Sequence, residues 1–186
     1  MTGHPWETLA SDVAYTCEGF DIVNETVRLP GGDRTEFDYL SEGPSVVVLP
    51  FTEDGQMVVV DEWRQAVRRL NRGFPAGSVE PEEDTGAAAR RELREETGYE
   101  AGTLSHMTTV EPANGFSDAL FHYYIARGCT DTADQSLDDD ETISVDTTTL
   151  DELVIAARDR ELQDGRTAFG VVYYALFEGS AGLQSW

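Results

Sequence analysis

Three glutamates fall on one face of a helix that the sequence predicts between residues 84 and 97. This stretch has three consecutive alanines followed by arginine, glutamate and leucine, without proline, a composition typical of a helix. Glu92, Glu95 and Glu96 stand at positions i, i+3 and i+4, so their carboxylates repel one another. Arg91 is spaced to pair with Glu95, but Glu92 and Glu96 have no obvious partner. A divalent cation that prefers oxygen ligands is the simplest compensation for this charge.

The residues around this helix have a defined spacing. Asp84 or Thr85 can cap the start of the helix, and Gly98 can end it in the left-handed conformation. In order, the segment reads Gly77, five residues, Glu83, seven residues, Arg91-Glu92-Leu93, one residue, Glu95-Glu96, one residue and Gly98-Tyr99. This pattern resembles the box of the Nudix hydrolases at every defined position. A solvated acidic surface helix would explain neither the glycines nor the isolated Glu83.

The length and hydropathy of the chain predict a globular protein. Its 186 residues, 40% of them hydrophobic, are enough for one domain with a core. No apolar stretch approaches the length of a membrane span, and the first residues lack a basic region followed by an apolar run. We therefore expect a cytoplasmic protein without a membrane partner. Cys17 and Cys129 are far apart, and we expect both thiols to be reduced.

The charge of the chain is strongly acidic. There are 36 acidic and 13 basic residues, all of the basic ones arginine, which gives a net charge of −23. Such self-repulsion weakens a compact state in dilute salt, and it is largely screened at about 1 M salt, where the Debye length is ~3 Å. The composition resembles that of a halophile's protein, the alternative being an ordinary acidic protein. Without a basic patch, the chain is not expected to bind nucleic acid.

The pattern along the chain predicts strands alternating with helices, and hence a layered α/β domain. The arrangement can be given in chain order. We expect a loose start (1–12), strands around a turn (13–40), an apolar hairpin (45–50 and 56–63), a loop (72–76), the box helix, two strands (103–111 and 119–127), an exposed acidic loop (130–142) and two helices (150–162 and 167–177).

The resemblance extends beyond the box to the ADP-ribose pyrophosphatase branch of the family. It is carried by short segments on both sides of the box. These are residues 58–67, Phe74-Pro-Ala-Gly77, Gly115-Phe-Ser-Asp118, residues 140–145 and Asp164-Gly-Arg-Thr167. The resemblance implies an α/β/α sandwich around a mixed sheet over residues 45–186. It also implies a small antiparallel β-region over residues 1–44 that serves dimerisation and the nucleoside pocket, and hence a homodimer.

In this family the box binds Mg²⁺ or Mn²⁺ on the diphosphate of the substrate. Mapped onto this chain, the resemblance implies a set of oxygen ligands. They are the backbone carbonyl of Ala76 and the carboxylates of Glu83, Glu92, Glu95 and Glu96. Arg91 would orient the glutamates through ion pairs. Gly77 and Gly98 would serve backbone geometry rather than chemistry.

Hydrolysis of a phosphoanhydride also needs a carboxylate that takes a proton from water. The resemblance points to the late acidic loop, where Glu141 is the first candidate and Asp139 the second. The alternatives are Glu92, as in other branches of the family, and an acidic loop that is only a solvated surface.

Further residues are candidates for binding the substrate. Arg64 stands where relatives carry a similar arginine, and Arg68, Arg69 and Arg72 add positive charge near the box, although surface ion pairing is the rival interpretation. From the Gly-Phe-Ser-Asp segment, the resemblance adds Phe116 and Ser117.

The resemblance implies hydrolysis of a nucleoside diphosphate-linked compound to a nucleoside monophosphate and a sugar phosphate. ADP-ribose is the expected substrate. Three departures from the pattern of the branch, Gly73, Asn114 and Ala119, leave other nucleoside diphosphate sugars and dinucleotides such as NADH open. A non-catalytic sensor of nucleotide sugars is the alternative from another class.

Overall fold

A computed structural model describes residues 5–138 and 141–179 of the chain. Two compact units are present, Met1–Pro44 with Val110–Phe121 and Ser45–Thr109 with His122–Trp186. Asp139 lies outside the described residues. No described helix has the length and apolar character needed to cross a bilayer. Cys17 and Cys129 are free thiols, as predicted.

The smaller unit contains a three-stranded antiparallel meander. Its strands are β1 (Glu7–Thr16), β2 (Asp21–Arg28) and β3 (Arg34–Ser41), in the order β1-β2-β3. The predicted turn joins β2 to β3. The expected loose start was wrong from Glu7 onward, because β1 is exposed along most of its length and has no apolar alternation to mark it. Backbone pairing with β2, rather than burial of its side chains, keeps β1 in the sheet.

The segment Val110–Phe121 is hydrogen-bonded to β3. The Leu40 backbone N–H donates to the Phe116 carbonyl at 2.8 Å, and the Asp118 N–H donates to the Leu40 carbonyl at 3.1 Å. The carboxylate of Asp118 also accepts from the hydroxyl of Ser41 at 2.8 Å. These bonds explain why residues 110–121, although late in the chain, belong to the same unit as the N-terminal strands.

In its described residues, the larger unit contains one sheet of eight strands and three helices, and only the end residues Val110 and Phe121 of two strands fall in the smaller unit. Its strands are β4 (Ser45–Thr52), β5 (Met57–Arg64), β6 (Arg69–Gly73), β7 (Ala76–Ser78), β8 (Tyr99–Glu100), β9 (Thr103–Val110), β10 (Phe121–Asp131) and β11 (Ile143–Thr148). The helices are α1 (Thr85–Thr97), α2 (Leu150–Arg158) and α3 (Gly165–Tyr173), which continues as a π-helical turn (Tyr174–Glu178). The central order is β11-β5-β4-β10-β8, with β6 on β5, β7 on β4 and β9 on β10.

Alternate residues of β4 pack on opposite faces of this sheet. Val46 and Val48 are fully buried in a cluster with Leu93 of α1. On the other face, Leu49 lies beside Gly170 of α3, where an added Cβ would meet its Cδ1 at 3.3 Å. The sheet thus lies between α1 and α3. The predicted fold class, an α/β/α sandwich with a mixed sheet and a small antiparallel N-terminal sheet, is confirmed.

The predicted hairpin β4–β5 is present, but the predicted loop over residues 72–76 was wrong. Arg72 pairs with Asp61 of β5, and Ala76 pairs with Val47 of β4. These strands are short and lack alternating apolar residues, so they carry no periodic signal. Strands β8 and β11 were also missed, because β8 has two residues and β11 has only two apolar residues, Ile143 and Val145, directly after the acidic loop.

The ends of α1 have the predicted caps. The Asp84 carboxylate accepts from the backbone N–H groups of Gly86 and Ala87 at 2.9 and 3.2 Å. Gly98 has φ 77° and donates its N–H to the Arg94 carbonyl at 2.8 Å. The Gly98 carbonyl in turn accepts from the N–H groups of Thr132 and Ala133. The end of α1 therefore anchors the start of the acidic loop.

Replacing Gly98 by alanine should destabilise the larger unit. A Cβ there would lie 2.1 Å from the backbone oxygen of Ala133, in addition to the cost of a left-handed residue. We expect a loss of roughly 1–3 kcal/mol in the free energy of unfolding, measured by urea denaturation. Gly165→Ala is the matched control, because a Cβ at that site meets nothing within 4 Å. Equal stability of the two variants would contradict this account of the helix end.

Candidate active site

A cleft of about 420 Å³ in the larger unit gathers most of the predicted metal and catalytic residues. Its lining combines carboxylates, arginines and small residues. The acidic residues are Glu80, Glu92, Glu95, Glu96, Asp138 and Glu141, the arginines are Arg64, Arg91 and Arg166, and the others are Ser45, Ala76, Gly77, Ser78 and Ser136. These residues come from β4, β5, β7, the turn after β7, α1, α3 and the acidic loop, so the fold assembles the cleft from distant parts of the chain.

Two of the box glutamates are buried beneath the cleft. Glu92 and Glu96 are 9% and 4% exposed, because the same helix face carries Leu93 into the core. Glu96 Oε2 accepts the backbone N–H of Ala76 at 3.2 Å. Burial raises the pKa of Glu92, and burial together with the charge of Glu92 raises the pKa of Glu96 to about 8. The protein thus holds two carboxylates where their charge is costly without a cation.

Arg91 places a positive charge next to three of the box carboxylates. Its Nε and Nη2 donate to the two oxygens of Glu83 at 3.0 and 2.9 Å. Its Nη1 donates to Glu92 at 2.7 Å and to Glu95 at 3.1 Å, and its Nη2 also reaches the Ser78 carbonyl at 2.9 Å. The predicted pair with Glu95 is therefore present, but the view that Glu92 has no partner was wrong. Hydrogen bonding to Arg91 lowers the pKa of Glu83.

The backbone of Gly77 lies directly against the carboxylate of Glu92. A Cβ at Gly77 would be 2.2 Å from Glu92 Cδ and 2.3 Å from both carboxylate oxygens. Any other residue would push this glutamate out of position, so the glycine is required by close approach and not by its φ angle.

The acidic loop is fastened to the C-terminal end of α1. The Ser136 N–H donates to the Glu95 carbonyl at 2.9 Å, and Gln135 Nε2 donates to the Glu96 carbonyl at 2.6 Å. Glu141 follows in the same loop and lines the cleft, and its carboxylate accepts the N–H of Asp138 at 3.1 Å. The structure thus brings Glu141 to the same cleft as the box glutamates, while Asp139 falls outside the described residues.

The donor set of the cleft fits a hard divalent cation. Carboxylate and carbonyl oxygens are the ligands that such ions prefer, and Glu92, Glu96 and Ala76 line the same cleft, with the Ala76 N–H bonded to Glu96. Within residues 5–138 and 141–179, no group of three or more His, Cys, Asp or Glu side chains is arranged to hold a metal as it stands. Glu92 and Glu95 instead pair with Arg91. To bind a cation, these carboxylates would have to turn from the shared guanidinium toward the ion.

The predicted substrate arginines separate into two groups. Arg64 lines the cleft and forms an ion pair of 2.7 Å with Glu62. Arg72 does not line it, and its guanidinium is bound by Asp61 at 2.7 Å and Asp146 at 2.8 Å. Arg68 lies in the hairpin turn between β5 and β6 with φ 54°.

Phe116 and Ser117 belong to the smaller unit. Phe116 is 59% exposed, and the Ser117 hydroxyl donates to Glu42 Oε1 at 3.0 Å.

Arg166 lines the cleft and was not among the predicted site residues. The only signal for it in the sequence was its place in the Asp164-Gly-Arg-Thr167 segment before the last helix. Glu62, which pairs with Arg64, was also missed, because a lone glutamate at the end of an apolar strand carries no spacing signal.

Comparison with known proteins gives a consistent assignment. A family profile described as the NUDIX domain matches residues 42–168. The chain is 31% identical to an ADP-ribose pyrophosphatase of Bacillus subtilis, over 92% of this chain and 94% of that protein. It is 30% identical to a methanol dehydrogenase activator of Bacillus methanolicus, with the same coverage of both chains.

A solved structure has the same fold. The crystal structure of an ADP compounds hydrolase superposes with a TM-score of 0.82, at 17% sequence identity, over 94% of this chain and 95% of that chain. The sequence match spans the box, the cleft and the acidic loop. The chain therefore belongs to the Nudix hydrolase family.

Proposed function

We propose that this Nudix hydrolase cleaves the diphosphate bond of ADP-ribose, giving AMP and a ribose phosphate. The observation that carries the proposal is the cleft in which buried Glu92 and Glu96 adjoin Arg91 and the loop residue Glu141. Support comes from the similarity of nearly the whole chain to the ADP-ribose pyrophosphatase of Bacillus subtilis. A small-molecule nucleotide substrate also suits the size of the cleft, about 420 Å³.

We further propose Mg²⁺ or Mn²⁺ as the cofactor. Glu92, Glu96 and the Ala76 carbonyl would hold the ion, with Glu95 and Glu83 as additional ligands. When bound, the cation neutralises the diphosphate and lowers the pKa of water. Arg91 keeps Glu83, Glu92 and Glu95 oriented in its absence, and Gly77 leaves room for the Glu92 carboxylate.

Glu141 is proposed to take the proton in the reaction. Water attacks one phosphorus, the bridging oxygen leaves with the other phosphate, and the proton of the water passes to the Glu141 carboxylate. This carboxylate lines the cleft, and among the described residues its hydrogen-bond donor is a backbone N–H of its own loop, which it can exchange for water. Asp139 and Glu92 remain the other candidates for this role.

The comparisons say less about the group attached to the diphosphate than about the cleavage of the diphosphate. Two relatives with different names, a pyrophosphatase and a dehydrogenase activator, cover the same share of the chain at 31% and 30% identity. The deciding experiment is a panel of ADP-ribose, other nucleoside diphosphate sugars and NADH, with Mg²⁺ in high salt, in which the released nucleoside monophosphate is measured. Hydrolysis of none of them would favour a nucleotide-sugar sensor.

A cytoplasmic homodimer is the proposed form of the protein. Support comes from β1, a ten-residue strand at the edge of its sheet that is exposed along most of its length. An edge strand of this length presents a row of unpaired backbone N–H and C=O groups with which a strand of another chain can pair. The N-terminal region, residues 1–44, remains the predicted dimerisation element and Ser45 the predicted start of the hydrolase domain.

Adaptation to high salt is proposed from the net charge of −23. Screening of this charge should stabilise the folded state, since the Debye length falls from ~10 Å at about 0.1 M salt to ~3 Å at about 1 M. We expect the Tm to rise by several degrees over this range of KCl, measured by circular dichroism. Sucrose at matched osmolality is the control for exclusion effects, and a Tm that is flat in KCl would contradict the proposal.

Glu96→Gln should abolish metal-dependent turnover and leave the fold intact. The amide keeps the shape and the hydrogen-bonding ability of the side chain but removes the charge that binds the cation. We expect Mn²⁺ affinity to fall, measured by electron paramagnetic resonance, together with turnover of ADP-ribose. Glu100→Gln is the matched control, because Glu100 is exposed and its one ion pair with a described residue is the pair with Arg94 at 3.7 Å. Turnover of Glu96→Gln like that of the parent would overturn the ligand assignment.

Glu141→Gln should lower kcat by about 10²- to 10⁴-fold, the usual contribution of a proton acceptor, with little change in Mn²⁺ affinity. Asp134→Asn is the control, since Asp134 is an exposed acid of the same loop that does not line the cleft. A loss of only several-fold would remove Glu141 from this role, and Asp139→Asn and Glu92→Gln would then be compared in the same assay.

A further inference from the structure

Arg166 is held rigidly at the start of α3. The hydroxyl of Tyr123, which is 1% exposed, donates to the Arg166 backbone carbonyl at 3.1 Å. Asp164 caps the helix by accepting from the N–H and the hydroxyl of Thr167 at 3.1 and 2.7 Å. Hydrogen bonds from Tyr123 of the sheet and to the capping residue Asp164 therefore hold the backbone that carries this arginine.

The guanidinium of Arg166 uses little of its capacity for hydrogen bonds. It offers five N–H donors, yet within the part of the chain that the structure describes its one side-chain hydrogen bond runs from Nε to Asp164 at 3.4 Å. By contrast, Arg91 and Arg72 each donate to at least two carboxylates. Arg166 thus keeps its planar Nη fork available in the cleft.

Arg166 is subject to two opposing electrostatic effects at the start of α3. It lies in the first turn of the helix, where the helix dipole is positive and a cation is disfavoured. Its ion pair with the capping carboxylate of Asp164 opposes this effect, and, against the opposing effect of burial, the charge of Arg166 lowers the pKa of Asp164. The guanidinium also lines the cleft, where it can attract a bound anion.

The two helices that serve the cleft lie on opposite faces of the sheet. α1 brings Glu92 and Glu96 from one face, and α3 brings Arg166 from the other. A second, small cavity is lined by Arg64 and Arg166 together with Glu62 and Asp164, and it adjoins the cleft through the two arginines. The part of the cleft lined by Arg64 and Arg166, here called its arginine side, is therefore built from other elements than the part lined by Arg91 and the glutamates of α1.

We propose that Arg166 is a substrate-binding residue that holds phosphate oxygens of the diphosphate on the arginine side of the cleft. A guanidinium fork matches two phosphate oxygens at once and makes short, charge-assisted hydrogen bonds. The proposal rests on the proposed diphosphate hydrolysis, and it assigns to α3 a direct role in recognising the substrate.

The test compares Arg166→Gln, Arg166→Lys and the control Arg158→Gln. Arg158 is an exposed arginine of the neighbouring helix that, within residues 5–138 and 141–179, pairs with Asp159 alone, and its variant makes the same change in net charge. Steady-state kinetics with ADP-ribose and calorimetric binding of α,β-methylene-ADP, both with Mg²⁺, are measured for each. We expect Arg166→Gln to lose roughly 10- to 100-fold in kcat/KM and in affinity for the analogue, and Arg166→Lys to lose less, because it keeps the charge without the fork.

Two further measurements separate binding from structure. The Tm and the Mn²⁺ affinity of Arg166→Gln should equal those of Arg158→Gln, and a loss of either would show a structural role and overturn the proposal. An analogue affinity of Arg166→Gln within twofold of the parent would also overturn it. If the parent chain binds the analogue but hydrolyses no diphosphate, the proposed activity fails, and the binding measurements still decide the role of Arg166.

Discussion

The concentration of negative charge around one guanidinium is the constraint on which the site depends. Arg91 donates to Glu83, Glu92 and Glu95 and to the carbonyl of Ser78, and so ties α1 to the loop before it and to β7. One cation cannot neutralise this many carboxylates, and Glu96 lies buried beyond its reach. The site therefore carries excess negative charge by construction, which a divalent ion and the metal-bound substrate can relieve.

The sheet brings residues from helices on both of its faces to one cleft. Alternate residues of β4 pack against α1 and α3, so the two helices approach the same strands from opposite faces. Carboxylates come from the α1 side and Arg166 comes from the α3 side. The cleft therefore combines carboxylates and guanidinium groups from different elements, which suits a ligand that combines a cation with an anionic diphosphate.

The box could be predicted from the sequence because its geometry is local. Asp84, the glutamate spacing and Gly98 act within one helix, and each is found where the spacing placed it. Contacts between distant segments could not be predicted in this way. Asp146 binds Arg72 across 74 positions, which takes that arginine away from the cleft, and Arg166 reaches the cleft only because α3 packs on the sheet. Strands β6 and β7 were also missed, since their order comes from the neighbours with which they pair.

The attachment of the acidic loop to α1 relates the position of Glu141 to that of the box glutamates. Thr132, Ala133, Gln135 and Ser136 all bond to carbonyls at the end of this helix, so the loop is held up to that point. Glu141 follows within the same loop and lines the cleft. If Glu141 has the role that we propose, a change in the number of residues after Ser136 would move its carboxylate relative to the cleft, while the carboxylates of α1 keep their places.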